Sequence, residues 1–224
     1  MTTTDLLPTV EFETGNQPSR TVLWMHGLGA DGNDFVPIVR ELNLPPSIPV
    51  RFIFPHAPMR PVTVNGGFVM RAWYDVANSD LSQYEDETGL RNSQQAIEAL
   101  IDRENERGIA PGNIVLAGFS QGGAIALQSG LRYPKKLAGI MALSCYLPLA
   151  QMLAAEAHHT NSATPIFMAH GNHDPVIPMM LAEASRKQLL ESGYAVEWHE
   201  YPMAHSVCVE EIADISGWLK RVLA

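Results

Sequence analysis

Gly118-Phe-Ser-Gln-Gly122 has the G-x-S-x-G pattern that presents a serine hydroxyl as a nucleophile. A serine attacks poorly at neutral pH unless a base takes its proton and a carboxylate orients that base. Both partners follow in the chain. Asp174 stands in His170-Gly-Asn-His-Asp-Pro-Val-Ile-Pro178, and His205 in Pro202-Met-Ala-His-Ser206. Among the eight histidines the order Ser, acid, His favours His205 as general base. His26 and His56 precede the serine, His170 precedes the aspartate, and His173 adjoins it. His158 and His159 fall at the exposed end of a helical stretch, and His199 inside a strand. Ser120, Asp174 and His205 are therefore the expected catalytic set.

An oxyanion forming at the attacked carbonyl needs backbone N–H donors already in place. One is expected from Gln121, the residue after the nucleophile. The other is expected from Leu28, in the glycine-rich loop His26-Gly-Leu-Gly-Ala-Asp-Gly-Asn33, where the backbone can approach a substrate closely. That loop matches neither G-x-G-x-x-G nor GxxxxGK[ST], so nucleotide binding is not expected. His170 and His173 stand three apart beside Asp174, a spacing that on a helix could hold a metal. Pro175 and a strand-to-loop setting speak against it, so no metal and no cofactor are expected.

These residues need a scaffold that brings them together. Short apolar runs, most of them continuous, lie at Thr21–Met25, Val50–Phe54, Ile114–Ala117, Ala138–Leu143, Pro165–Ala169 and Val196–Tyr201. Continuous runs suit strands covered on both faces of a parallel sheet. Thr9–Glu13 alternates, as an antiparallel edge would. Helices are expected over Leu90–Glu106, Gln121–Leu131, Leu149–Ala157, Met179–Glu191 and Val209–Leu223. Strands alternating with helices indicate an α/β layer architecture. Ser120 then sits on a strand–turn–helix, with Asp174 and His205 on loops beyond strand ends, the side where open α/β sheets bind ligands. Some thirty residues between Phe54 and Leu90 are read as a substrate loop, or else as a surface excursion with a small hairpin at Asn65-Gly66.

Composition narrows the partners. The 224 residues carry 15 Lys+Arg against 24 Asp+Glu, a formal charge of −9, which argues against nucleic acid or an anionic bilayer as partner. Two cysteines, Cys145 and Cys208, are too few for a disulfide scaffold. The chain shows no apolar run of about 18 residues, no basic-then-apolar leader and no lipidation motif. A single domain over 1–224, a cytoplasmic location and no stable membrane insertion are expected.

The segments HGLGADGNDF (His26–Phe35), GFSQGGA (Gly118–Ala124), HGNHDPVIP (His170–Pro178) and the HSV from His205 together resemble the phospholipase/carboxylesterase family, which includes acyl-protein thioesterases. RAWYD (Arg71–Asp75) and YLPL (Tyr146–Leu149) extend the likeness over nearly the whole chain, nearest to the small bacterial carboxylesterases sometimes called carboxylesterase 2. The resemblance implies an α/β-hydrolase fold, with a mostly parallel central sheet, helices on both faces and no separate cap domain. It also implies the same triad and the same two oxyanion donors. Cys145 departs from the glycine expected after Ser144 and is a candidate for lining the site. Without a cap, the acyl group is expected along a groove formed by Val62, Phe68, Met70, Trp73 and Leu147. The expected activity is hydrolysis of short- to medium-chain carboxylic esters by a monomer or homodimer acting on a small-molecule substrate. The alternative is an acyl-protein thioesterase or lysophospholipase acting on long chains.

Overall fold

The structure, a computed structural model, describes residues 6–78 and 85–224. In chain order its elements are β1 (Thr9–Glu13), β2 (Arg20–Met25), α1 (Ile38–Glu41), β3 (Val50–Pro55), β4 (Met59–Val62), β5 (Phe68–Arg71), α2 (Glu87–Glu106) and β6 (Ile114–Phe119). They continue with α3 (Gln121–Arg132), β7 (Gly139–Leu143), α4 (Leu153–Glu156), β8 (Ile166–Gly171), α5 (Met179–Glu191), β9 (Val196–Tyr201) and α6 (Val209–Val222). Seven strands form one sheet in the order β1-β3-β2-β6-β7-β8-β9. β1 runs antiparallel to β3 at one edge, as its alternating sequence implied, and the other neighbours are parallel.

The continuous apolar runs are continuous because the sheet is covered twice. Leu23 and Met25 of β2 pack with Leu100 of α2, Leu127 of α3 and Leu189 of α5. Val22 and Trp24, the alternate residues, pack with Ile38 of α1 and Ile215 and Trp218 of α6. Every buried strand therefore supplies both faces, which alternating polarity could not do. The helix ends follow local rules. Asp86 caps α2, its Oδ1 accepting the Gly89 N–H at 2.9 Å, and so starts the helix at Glu87 rather than Leu90. In α6 the acids Glu210 and Glu211 occupy the first turn and Lys220 and Arg221 the last, complementing the dipole.

One reading needs correction, and one pair of alternatives is resolved. The helix expected over Leu149–Ala157 is a 3₁₀ turn, Ala150–Met152, followed by the four residues of α4. Leu149 takes a left-handed backbone (φ 47°), and its N–H is held by Glu85, so no helix begins there. The stretch after β3 holds the β4–β5 hairpin, closed by a 3₁₀ turn and Gly66 in the left-handed region. It is both an excursion and a contributor to the site.

Candidate active site

The residues expected to carry the chemistry all leave the carboxyl ends of strands: Leu28 after β2, Ser120 after β6, Asp174 after β8 and His205 after β9. Parallel strands put those ends on one side of the sheet. Ser120 has φ 55° and ψ −121°, a conformation costly for any side chain, and its N–H is pinned to the Leu143 carbonyl at 2.9 Å. The turn needs its glycines for space. A Cβ on Gly118 would collide with the Gly122 carbonyl, and one on Gly122 with the Met25 carbonyl.

His205 Nδ1 lies 2.7 Å from Asp174 Oδ2. The Asp174 side chain is fully buried, while that of His205 keeps 16% of its surface. Asp174 Oδ1 accepts the N–H groups of Val176 (2.8 Å) and Ile177 (2.9 Å), so the carboxylate is held from both oxygens. The His205 ring packs at a tilt on Phe119, the residue before the serine, with centroids 4.7 Å apart. Ser120 itself is 8% exposed and opens on a cavity of about 310 Å³.

Leu28 and Gln121 line that cavity beside Ser120. Gln121 is the first residue of α3, so its N–H has no partner within the helix. The Leu28 loop is anchored through His26. The Ala57 N–H donates to His26 Nε2 (3.1 Å), which leaves the ring hydrogen on Nδ1, 2.7 Å from the Gly27 carbonyl. Burial lowers the His26 pKa and keeps it in this neutral form. Trp73 Nε1 donates to the His26 carbonyl at 2.9 Å, and Gly29 N–H to the Arg71 carbonyl at 2.9 Å. The Gln121 carboxamide adds a third tie: Oε1 accepts the Trp73 N–H (3.1 Å) and Nε2 donates to the Tyr74 carbonyl (2.9 Å).

The remaining cavity wall is Val64, Asn65, Tyr74, Val76, Asn78, Tyr146, Pro175, Val176 and Ile177. None of the five residues expected to hold the acyl group lines it. Val62 and Trp73 are fully buried in packing, and Phe68 is 69% exposed on the hairpin. The Met70 sulfur is taken up by Asn65 Nδ2 at 3.4 Å. Leu147 lines a smaller neighbouring cavity of about 180 Å³, separated from the first by Tyr146. The Tyr146 hydroxyl meets that of Tyr74 at 3.1 Å, and burial raises its pKa to about 12. Three wall residues could have been found from the sequence: Pro175, Val176 and Ile177 follow Asp174 in order, so they share its loop. Tyr74 and Val76 lie on the segment after β5, whose docking rests on hydrogen bonds from several places: the Gln121 ties, Ser93 Oγ donating to the Trp73 carbonyl, and the Asp75 N–H donating to Asp86 Oδ2 (2.8 Å). Cys145 lines neither cavity. It is buried against Gly123, and burial pushes its thiol pKa up. Among the described residues no group of three or more His, Cys, Asp or Glu is placed to hold a metal ion.

Comparison with known proteins bears on the family and the fold. Residues 9–223 match the family described as Phospholipase/Carboxylesterase. Acyl-protein thioesterase 1 of Neurospora crassa is 42% identical, over 97% of this chain and 91% of its own length. The crystal structure of Arabidopsis thaliana SOBER1 superposes with a TM-score of 0.86 at 34% identity, covering 92% of this chain and 99% of that one. A Bacillus cereus carboxylesterase shares the fold (TM-score 0.77) at 20% identity, over 98% of this chain and 96% of its own. With a G-x-S-x-G turn at the end of β6 and this match from β1 to α6, the chain belongs to the phospholipase/carboxylesterase family.

Proposed function

We propose that this esterase of the phospholipase/carboxylesterase family hydrolyses acyl thioesters of the kind found on S-acylated proteins, through an acyl-enzyme on Ser120. The observations that carry the chemistry are the hydrogen-bonded Asp174–His205 pair, its carboxylate buried, and a strained, cavity-facing Ser120. His205 takes the proton of Ser120 as its Oγ bonds to the acyl carbonyl carbon. The N–H groups of Leu28 and Gln121 hold the oxyanion. As the carbonyl reforms, the bond to the leaving sulfur breaks and His205 returns the proton to it. Water, deprotonated by His205, then releases the acid and free Ser120. Asp174 keeps the imidazole oriented throughout.

The thioester reading is supported by the names of the 35–42% identical relatives, acyl-protein thioesterase 1. These favour the alternative weighed from sequence over a short-chain carboxylesterase. The cavity adds a size. At about 310 Å³ it falls at the small end of the ~300–1,000 Å³ range of ligand pockets, a scale that suits a short to medium acyl group. That size supports a second reading, a carboxylesterase for short to medium oxyesters. In either case the chain would act in the cytoplasm as a single α/β domain, monomeric or homodimeric.

Hydrolysis of paired oxyesters and thioesters from acetyl to palmitoyl, with Ser120→Ala alongside, tests the proposal. Ser120→Ala is expected to lose at least ~10³-fold in kcat. Best turnover on thioesters of eight or more carbons supports the proposal. Best turnover on short oxyesters selects the second reading, and undiminished activity of Ser120→Ala overturns both.

A further inference from the structure

His170 is wholly buried at the end of β8 and takes no part in the steps above. Its Nε2 lies 2.9 Å from the Ile177 carbonyl, which can only accept, so Nε2 carries the ring hydrogen and donates it. Ile177 in turn donates its own N–H to Asp174 Oδ1 at 2.9 Å. One residue of the turn thus grips the carboxylate with its N–H and is gripped by His170 through its C=O. The same Nε2 stands 3.5 Å from Asp174 Oδ2, the oxygen that faces His205. The other ring nitrogen, Nδ1, is buried with no hydrogen-bond partner among the described residues. An apolar side chain here would leave the Ile177 carbonyl without this donor, so the histidine does more than pack.

We propose that His170 is a positioning residue, which sets the Asp174–Ile177 turn and thereby aims the carboxylate at His205 Nδ1. The inference rests on Asp174 and His205 acting as assigned above. His170 touches neither the cavity nor Ser120; its effect passes through Asp174. Ile177 also forms part of the cavity wall, so the hydrogen bond from His170 holds a residue that serves both the carboxylate and the acyl site.

Two amide substitutions separate positioning from packing. In His170→Gln the amide nitrogen reaches about where Nε2 was and can still donate to Ile177. In His170→Asn it stops near the Nδ1 position and cannot. Expected for His170→Asn is a 10- to 100-fold fall in kcat with KM within about twofold, since a small misplacement of a reacting group costs that much. His170→Gln should recover most of that loss. The imidazole Nδ1–H proton of His205, followed by NMR in 15N-histidine-labelled protein, should keep its low-field resonance in His170→Gln and lose or shift it in His170→Asn. Equal activities of the two variants, a loss confined to KM, or an unmoved His205 resonance in His170→Asn would overturn the inference. Ser120→Ala is assayed in parallel: an active Ser120→Ala means the site itself is misread, whereas an inactive one beside a fully active His170→Asn refutes only the role of His170.

Discussion

A Gly122→Ala substitution places a single methyl group where the nucleophile turn meets the oxyanion loop. Its Cβ would lie 2.5 Å from the Met25 carbonyl carbon and 2.7 Å from the His26 carbonyl oxygen, whereas real Cβ atoms stay beyond 3.0 Å. Both contacts are backbone, so no rotamer can relieve them. The start of α3 and the end of β2 must separate by about half an ångström or more. These two segments lead directly to Gln121 and Leu28, the proposed oxyanion donors. Overpacking of this kind costs about 1–3 kcal/mol of stability. Losing the use of one oxyanion donor costs about 10²–10³ in kcat, and a partial displacement of both should cost about 100-fold. The assay is kcat and KM on p-nitrophenyl hexanoate, with burst titration to count acylatable serine and urea unfolding to measure stability. Gly112→Ala is the control: its Cβ would meet only the Lys136 carbonyl oxygen, at 3.9 Å, and activity should not change. A Gly122→Ala protein that is folded and within twofold of the parent kcat would refute the placement of the donors.

Glu211 is fully buried in α6, and its desolvation raises the carboxyl pKa to about 8. Between about 4.5 and 8 the folded chain holds a proton that the unfolded chain releases, so stability should fall as pH rises, by at most about 1.4 kcal/mol per pH unit. Glu211→Gln removes that slope, and urea unfolding from pH 5 to 9 should show the variant overtaking the parent; parallel curves would sink the argument. Cys145 is buried with a raised thiol pKa, so iodoacetamide at pH 7.5 should leave activity intact and label only the partly exposed Cys208, as judged by mass spectrometry of tryptic peptides. Labelling of Cys145 in folded, inactivated protein would contradict this.

The residues proposed for the chemistry and most of the scaffold could be read along the chain, because the signals are local. A G-x-S-x-G turn is legible as a short local pattern, with Gly118 answering to Gly122 within the turn, although Gly122 itself answers to the end of β2. β1 was legible as an edge because Thr9–Glu13 alternates. The placing of Asp174 and His205 after strands followed from strand positions, and parallel pairing does the rest. Helix ends were less legible: Asp86 starts α2 by a hydrogen bond three residues on, while the hydrophobic spacing begins only at Leu90.

The cavity wall is a different matter. Trp73 and Val62 had the apolar character of acyl-binding residues, yet the fold spends both on the core. Tyr74 and Val76 became wall because hydrogen bonds to Gln121, Ser93 and Asp86 fix the segment that carries them. Leu147 went to the neighbouring cavity because Tyr146 stands between the two. Sequence by itself determined which groups could react and at which strand ends they lie, since backbone conformation and burial periodicity are set within a few residues. Tertiary structure alone decided what shape faces Ser120. A wall is assembled from side chains far apart in the chain, and its form depends on hydrogen bonds between segments that no local pattern encodes.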